Sequence, residues 1–290
     1  MEAIPAPLRA HARTMALSLR FLLGALREPL GLGYLLARAS DTIADSGRMP
    51  REERVAWLEG IQGALATPSL GAFRPVNFPE ALTPAEYGLL ECLPNLLALL
   101  GESPEREELI GLWREILEGQ LFDLRRFTPG SDPLDHAELE RYCGLVAGSV
   151  GASWTRLIER RFPRMLLRPA GEMIPLGMAY GKGLQLVNVL RDRAEDRAAG
   201  RRYVREEDLP ELVGRAEAWL RLGERYLSGL RPGRILTASS LPLDLAVPTL
   251  DLIGEHPGAA RLKLTRRRVR GILLRSAFSL WLPRRVDPAS

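Results

Sequence analysis

The residues best placed to do chemistry are two aspartate pairs, Asp41-Thr42-Ile43-Ala44-Asp45 and Asp192-Arg193-Ala194-Glu195-Asp196. Within each pair the carboxylates are four residues apart, and on a helix that spacing stacks them on one face. Each face continues upstream, through Tyr34 and Arg38 in the first copy and Gln185 and Asn188 in the second. The period is helical, yet the stripes are polar in segments otherwise rich in Leu, Val, Ala and Gly. Unpaired carboxylates are costly to bury, and a divalent cation would offset that cost. Mg²⁺ favours hard carboxylate oxygens and commonly completes its shell with substrate phosphates. It can also neutralise the charge growing on a departing diphosphate. One D-x-x-x-D alone fits a solvated helix face equally well. Two copies on apolar helices favour the diphosphate chemistry.

The elements that must position these pairs read as helices throughout. Residues 8–26 form a first helix, stopped near Glu28-Pro29, and a second runs from there to about Asp45. Further helices are expected over 51–66, 84–100, 104–127, 135–162, 170–199, 210–230, 241–254 and 265–282. A Pro/Gly-rich loop spans 67–79, and Thr128-Pro129-Gly130-Ser131-Asp132-Pro133 is a second break. The glycines of Tyr142-Cys143-Gly144-Leu145-Val146-Ala147-Gly148-Ser149-Val150-Gly151 lower helix propensity and allow close backbone packing or leave room for a ligand.

Of the 290 residues 46% are hydrophobic, enough for a packed core, and no succession of alternating β-branched runs marks a sheet. The expectation is an all-α, single-domain bundle over 1–290. The net charge is +4 and the pI about 9.4. The excess is concentrated between Arg261 and Arg285, which hold nine Lys or Arg and no acid. That suits phosphates or a membrane surface; no zinc-finger spacing or RNA-binding aromatic–glycine signature speaks for nucleic acid. Two distant cysteines, Cys92 and Cys143, form no disulfide framework and point to a reducing compartment. Neither a signal peptide nor a membrane span is read. The chain is therefore expected in the cytoplasm, with peripheral membrane contact through its basic C-terminal segment. Arg193, Arg197 and Arg202 read as solvated, and Cys143 as inert core.

Four segments together resemble the squalene/phytoene synthases, the head-to-head prenyl transferases. They are the two aspartate segments, the Tyr142–Gly151 segment and, more faintly, His11-Ala12-Arg13-Thr14-Met15. The second aspartate segment continues into Gly200-Arg201-Arg202-Tyr203, as the family's does. The resemblance implies an all-α prenyl synthase fold with a central cavity and prenyl diphosphate substrates. It implies that Asp41, Asp45, Asp192 and Asp196 hold Mg²⁺, or Mn²⁺ in its place, with Asn188 and Glu195 as further metal ligands. It implies that Arg13, Arg38, Arg191 and Arg201 contact diphosphate, that Tyr34 and Gln185 line the cavity, and that Tyr142 is the mechanistic tyrosine. NADPH is implied as cofactor, its phosphate near Lys263 and Arg266.

The Asp-Thr-Ile-x-Asp form of the first motif favours squalene synthase within that family. Phytoene synthase, a synthase stopping at presqualene diphosphate or hydroxysqualene, and an inactive homologue acting as a binding protein stay open. The first motif carries Ala44 where many squalene synthases have an acid, and the second has an extra acid in Glu195. The second helix is therefore expected to hold metal more firmly.

Overall fold

A computed structural model describes residues 14–47, 49–66, 84–257, 259 and 262–278. Arg13, the Pro/Gly-rich stretch 67–79 and the ends of the first and last expected helices lie outside these residues. Twelve α-helices follow in order: α1 Thr14–Phe21, α2 Gly24–Ala44, α3 Arg51–Ala64, α4 Pro84–Glu91, α5 Leu93–Glu102, α6 Arg106–Arg126, α7 His136–Cys143, α8 Ser149–Arg161, α9 Ala170–Ala198, α10 Leu209–Ser228, α11 Arg234–Glu255 and α12 Arg266–Phe278. Among the described residues the β-structure is a single bridge between Leu166 and Leu230, so the all-α expectation holds.

Local chemistry accounts for several boundaries. Helix α6 has Glu107 and Glu108 in its first turn and Arg125 and Arg126 in its last, matching the helix dipole at both ends. Helix α7 opens on a reciprocal cap, in which Asp135 accepts from the Glu138 amide at 2.8 Å and Glu138 accepts from the Asp135 amide at 3.1 Å. Four boundaries differ from the sequence reading, one being a break at Cys92 that splits the helix expected over 84–100 into α4 and α5. The first break falls at Leu22–Leu23, and Pro29 is inside α2, where its ring packs among buried residues. Helix α11 starts seven residues earlier than expected, at Arg234, because Gly233, at φ 140°, takes the turn. The expected helix 135–162 is interrupted by a π-turn over Gly144–Gly148, an insertion that often marks a functional site.

Two apolar clusters share Tyr34, which packs on both. One gathers α2 to α6 around Trp113, whose ring nitrogen donates to Ser40 at 3.2 Å. The other gathers α1, the start of α2 through Leu26 and Leu30, and α7 to α11. Helix α9 is central to the second, packing on α8, α10, α11 and the π-turn. Helix α11 is long and apolar enough to cross a membrane, but 56% of that window is buried inside the fold.

Glycines set the α8–α9 crossing. A Cβ on Gly151 would lie 1.9 Å from the Gly177 carbonyl oxygen, and one on Gly181 would lie 2.1 Å from that of Ala147. Only glycine lets these two backbones come so close, and the contact fixes where α9 presents its polar stripe.

Candidate active site

Both aspartate pairs sit at helix C-termini. Asp41 is in the last turn of α2 and Asp45 is its C-cap; Asp192 and Asp196 occupy the last two turns of α9. A helix C-terminus carries partial negative charge, so carboxylates there are unfavourable until a cation joins them. In this structure arginines do so. Arg201 donates to Asp196 from Nη2 at 2.8 Å and from Nε at 3.1 Å, and its Nη1 lies 3.6 Å from Asp45. One guanidinium thus touches both motifs. The turn that puts it there is a glycine C-cap. Gly200 takes φ 83°, its amide donates to the Arg197 carbonyl at 3.0 Å, and the Arg201 amide donates to the Asp196 carbonyl at 2.8 Å. The chain doubles back, and the Arg201 side chain returns over α9.

Arg191 grips Asp192 with Nε at 2.8 Å and with Nη2. Asp41 accepts from Gln120 Nε2 at 2.6 Å and meets Arg38 at 3.9 Å. Burial raises the Asp196 pKa against the opposing pull of Arg201. For Arg201 itself burial opposes the charge, yet the hydrogen bond to Asp196, with Tyr203 and Asp45 nearby, raises the pKa overall.

The two motifs border one cavity of about 960 Å³, at the upper end of the small-molecule range. Tyr34, Asp41, Asp45, Tyr142, Gln185, Asn188, Arg191, Asp192, Glu195, Asp196 and Arg201 all line it. Leu30, Leu112, Ile116, Val146, Val150 and Val189 supply an apolar stretch of wall. Val146 owes its place to the π-turn and to Gly119 opposite, where a Cβ would come within 2.5 Å of it. Lys263 and Arg266 are exposed, and neither they nor Arg38 line the cavity. Arg193 corrects the reading of a solvated residue. It is buried, donating to the carbonyls of Leu190, at 2.9 Å, and Pro257, because it shares the inner face of α9 with Leu186, Val189 and Leu190. Cys143 is fully buried, its thiol pushed up to about 12 by burial.

Tyr142 is buried at the cavity wall in a hydrogen-bonded chain with Tyr203 and Asp123, of which the motifs held only the two tyrosines. Its ring stacks on Tyr203 with centroids 5.0 Å apart, and the two hydroxyls are 3.2 Å apart. The Tyr203 hydroxyl also hydrogen-bonds Asp123 on α6. Burial pushes the Asp123 carboxyl up to about 7, against the hydrogen bond from Tyr203, and raises both phenols well above their ordinary value. Asp123 Oδ1 and Gln120 Oε1 are buried without a hydrogen-bond partner. The sequence carried a signal for both residues. Leu112, Ile116, Gln120, Asp123 and Phe127 follow a helical period, so Gln120 and Asp123 interrupt an otherwise apolar stripe.

Among the described residues no three carboxylate, His or Cys groups form a ready-made metal cluster. Paired carboxylates at helix C-termini still match the donor set Mg²⁺ uses when one or two carboxylates hold it and phosphates complete the shell.

Residues 8–211 match the model of the family described as squalene/phytoene synthase. The chain is 32% identical over 192 residues to the presqualene diphosphate synthase of Rhodopseudomonas palustris, covering 66% of this chain and 57% of that protein. It is 23% identical over 283 residues to a squalene synthase of Gibberella zeae, covering 86% and 58%. The chain therefore spans less than two thirds of the length of either relative. A solved ligand complex of TcSQS aligns with a TM-score of 0.75 over 93% of this chain and 84% of that one. At 21% identity that likeness speaks for the fold.

Proposed function

The chain belongs to the squalene/phytoene synthase family, and we propose that it condenses two farnesyl diphosphates head to head, through presqualene diphosphate, toward squalene. The observation that carries this reading is Arg201, touching an aspartate of each motif at the edge of a cavity with an apolar wall.

A divalent cation held by Asp41 and Asp45, and by Asp192 and Asp196 with Asn188 and Glu195 alongside, would neutralise charge on the departing diphosphate. Arg191 and Arg201 present planar forks suited to phosphate oxygens. The apolar wall excludes water from the allylic cation, which the double bond of the second substrate then attacks. Proton loss closes the cyclopropane ring. Tyr142 is placed to take that proton while passing its own to Tyr203 and, from there, to the ionised Asp123; the departing diphosphate is an alternative base. A carboxyl near neutrality suits such a relay.

The resemblance also called for NADPH. Lys263 and Arg266 do not line the cavity, so no cofactor seat is derived from them. The Rhodopseudomonas relative favours a second reading in which the chain stops at presqualene diphosphate. Incubation with farnesyl or geranylgeranyl diphosphate, with and without NADPH, tests both. Squalene formed only with NADPH supports the first reading, and presqualene diphosphate unchanged by NADPH supports the second. A product from geranylgeranyl diphosphate alone overturns both.

A further inference from the structure

We propose that Arg51 and Arg54, on the first turn of α3, form with Arg201 a seat for a diphosphate group beside the aspartate motifs. The inference rests on reading the cavity as a prenyl diphosphate site. Both arginines line that cavity, together with the Thr128–Ser131 segment. Backbone contacts hold them in place: Arg51 donates to the Phe127 carbonyl, and Arg54 Nη1 donates to the Ala44 carbonyl at 2.8 Å. These contacts use only part of each fork. Arg54 Nε is buried with no partner at all. The acids of the same turn, Glu52 and Glu53, are exposed to solvent.

The local charge is also unbalanced. Arg51, Arg54 and Arg201 bring three guanidinium groups to this part of the cavity wall. Arg201 is met by Asp45 and Asp196, whereas among the described residues no carboxylate forms an ion pair with Arg51 or Arg54, and an anion would supply one. A diphosphate fits because its oxygens can accept from several forks at once. The seat differs from the metal region in needing no carboxylate, and it would take either a substrate head group or the released diphosphate.

The test is calorimetric titration of the folded chain with inorganic diphosphate, and separately with a non-reactive thio-analogue of farnesyl diphosphate, in magnesium-free buffer with chelator. Arg51→Gln and Arg54→Gln are each expected to weaken diphosphate binding about tenfold or more, the worth of one lost charge-assisted hydrogen bond. Arg54→Lys should fall between, and Arg221→Gln, on an exposed face of α10, should match wild type. Thermal melts identify variants that fail to fold, and Arg51→Gln stands in if Arg54→Gln, which loses its contact to α2, is one of them. Weakening of both ligands assigns the seat to a substrate head group; weakening of inorganic diphosphate alone assigns it to the released product. Wild-type affinity in both Gln variants, or no binding by wild type, overturns the seat. If the thirty-carbon product still forms, the proposed function survives that result. Arg54-dependent diphosphate binding without any thirty-carbon product overturns the function and leaves the seat.

Discussion

Helix α2 presents Asp41 and Asp45 with side chains 44% and 62% exposed, whereas α9 presents Asp192 and Asp196 at 32% and 15%. The partners differ in the same sense. Asp192 and Asp196 are each gripped by a two-pronged arginine at hydrogen-bond distance, while Asp41 relies on Gln120 and a more distant Arg38. The scaffolds differ too. Gly177 locks α9 against α8 and Gly181 locks it against the π-turn by backbone contact, but a Cβ on Gly31 of α2 would meet nothing within 4 Å. One half of the site is half-buried and pre-positioned, and the other is wetter and more loosely held. The sequence led to the same asymmetry through a count of acids, Glu195 against Ala44. The structure offers burial and rigidity instead, and the two causes can be separated.

The largest expected effect is on turnover. Asp192→Ala or Asp196→Ala should lower Mg²⁺-dependent product formation about a thousandfold, the upper range for losing one preorganised electrostatic group. Asp41→Ala should cost about tenfold less, and steady-state rates showing the reverse order would break the comparison. Next is stability. Gly181→Ala forces α9 away from the π-turn backbone at Ala147 and should cost about 3 kcal/mol, lowering Tm by roughly 6–12 °C. Gly31→Ala should be neutral or slightly stabilising, and equal melting shifts would show that α9 is no more locked than α2.

A smaller effect concerns Asp123, which lies between the helices and feels both Asp45 and Asp196. Its folded pKa of about 7 is above the ordinary 3.8, so the folded chain binds the extra proton. The stability this confers is complete below about pH 4 and is lost as pH rises to about 7. Urea unfolding should show Asp123→Asn gaining on wild type by a few kcal/mol between pH 5 and pH 8, and parallel pH curves would remove the buried carboxylate from the relay. The smallest effect separates the two causes. Glu195→Gln should change Mg²⁺ affinity by less than about threefold, because Glu195 is exposed and screened. A loss matching that of Asp196→Ala would mean that acid count, and not burial, gives α9 its advantage.

Much of this site was legible in the residues. Tyr34, Asp41, Asp45, Gln185, Asn188, Asp192 and Asp196 were readable because helical periodicity is local, and polar stripes on apolar helices are conspicuous. Tyr203 and Asp123 were harder. They meet Tyr142 only because α6, α7 and the turn after α9 converge, and no local spacing encodes that meeting. Arg193 was misread because an arginine beside two acids looks solvated, whereas its position on α9 turns it inward to carbonyls. Arg51 and Arg54 drew no notice in the sequence, since nothing near them says that the cavity passes them.

By itself the sequence determined the helical class, the aspartate stripes and the family, all of which follow from periodicity and short motifs. The tertiary structure decided which carboxylates are buried, which arginine joins the two motifs, and that a tyrosine pair ends on an aspartate near neutrality. Those depend on desolvation and on distances between helices remote in sequence. Here the distances are set by glycine contacts such as Gly151 with Gly177, whose backbones touch only when the whole bundle is assembled.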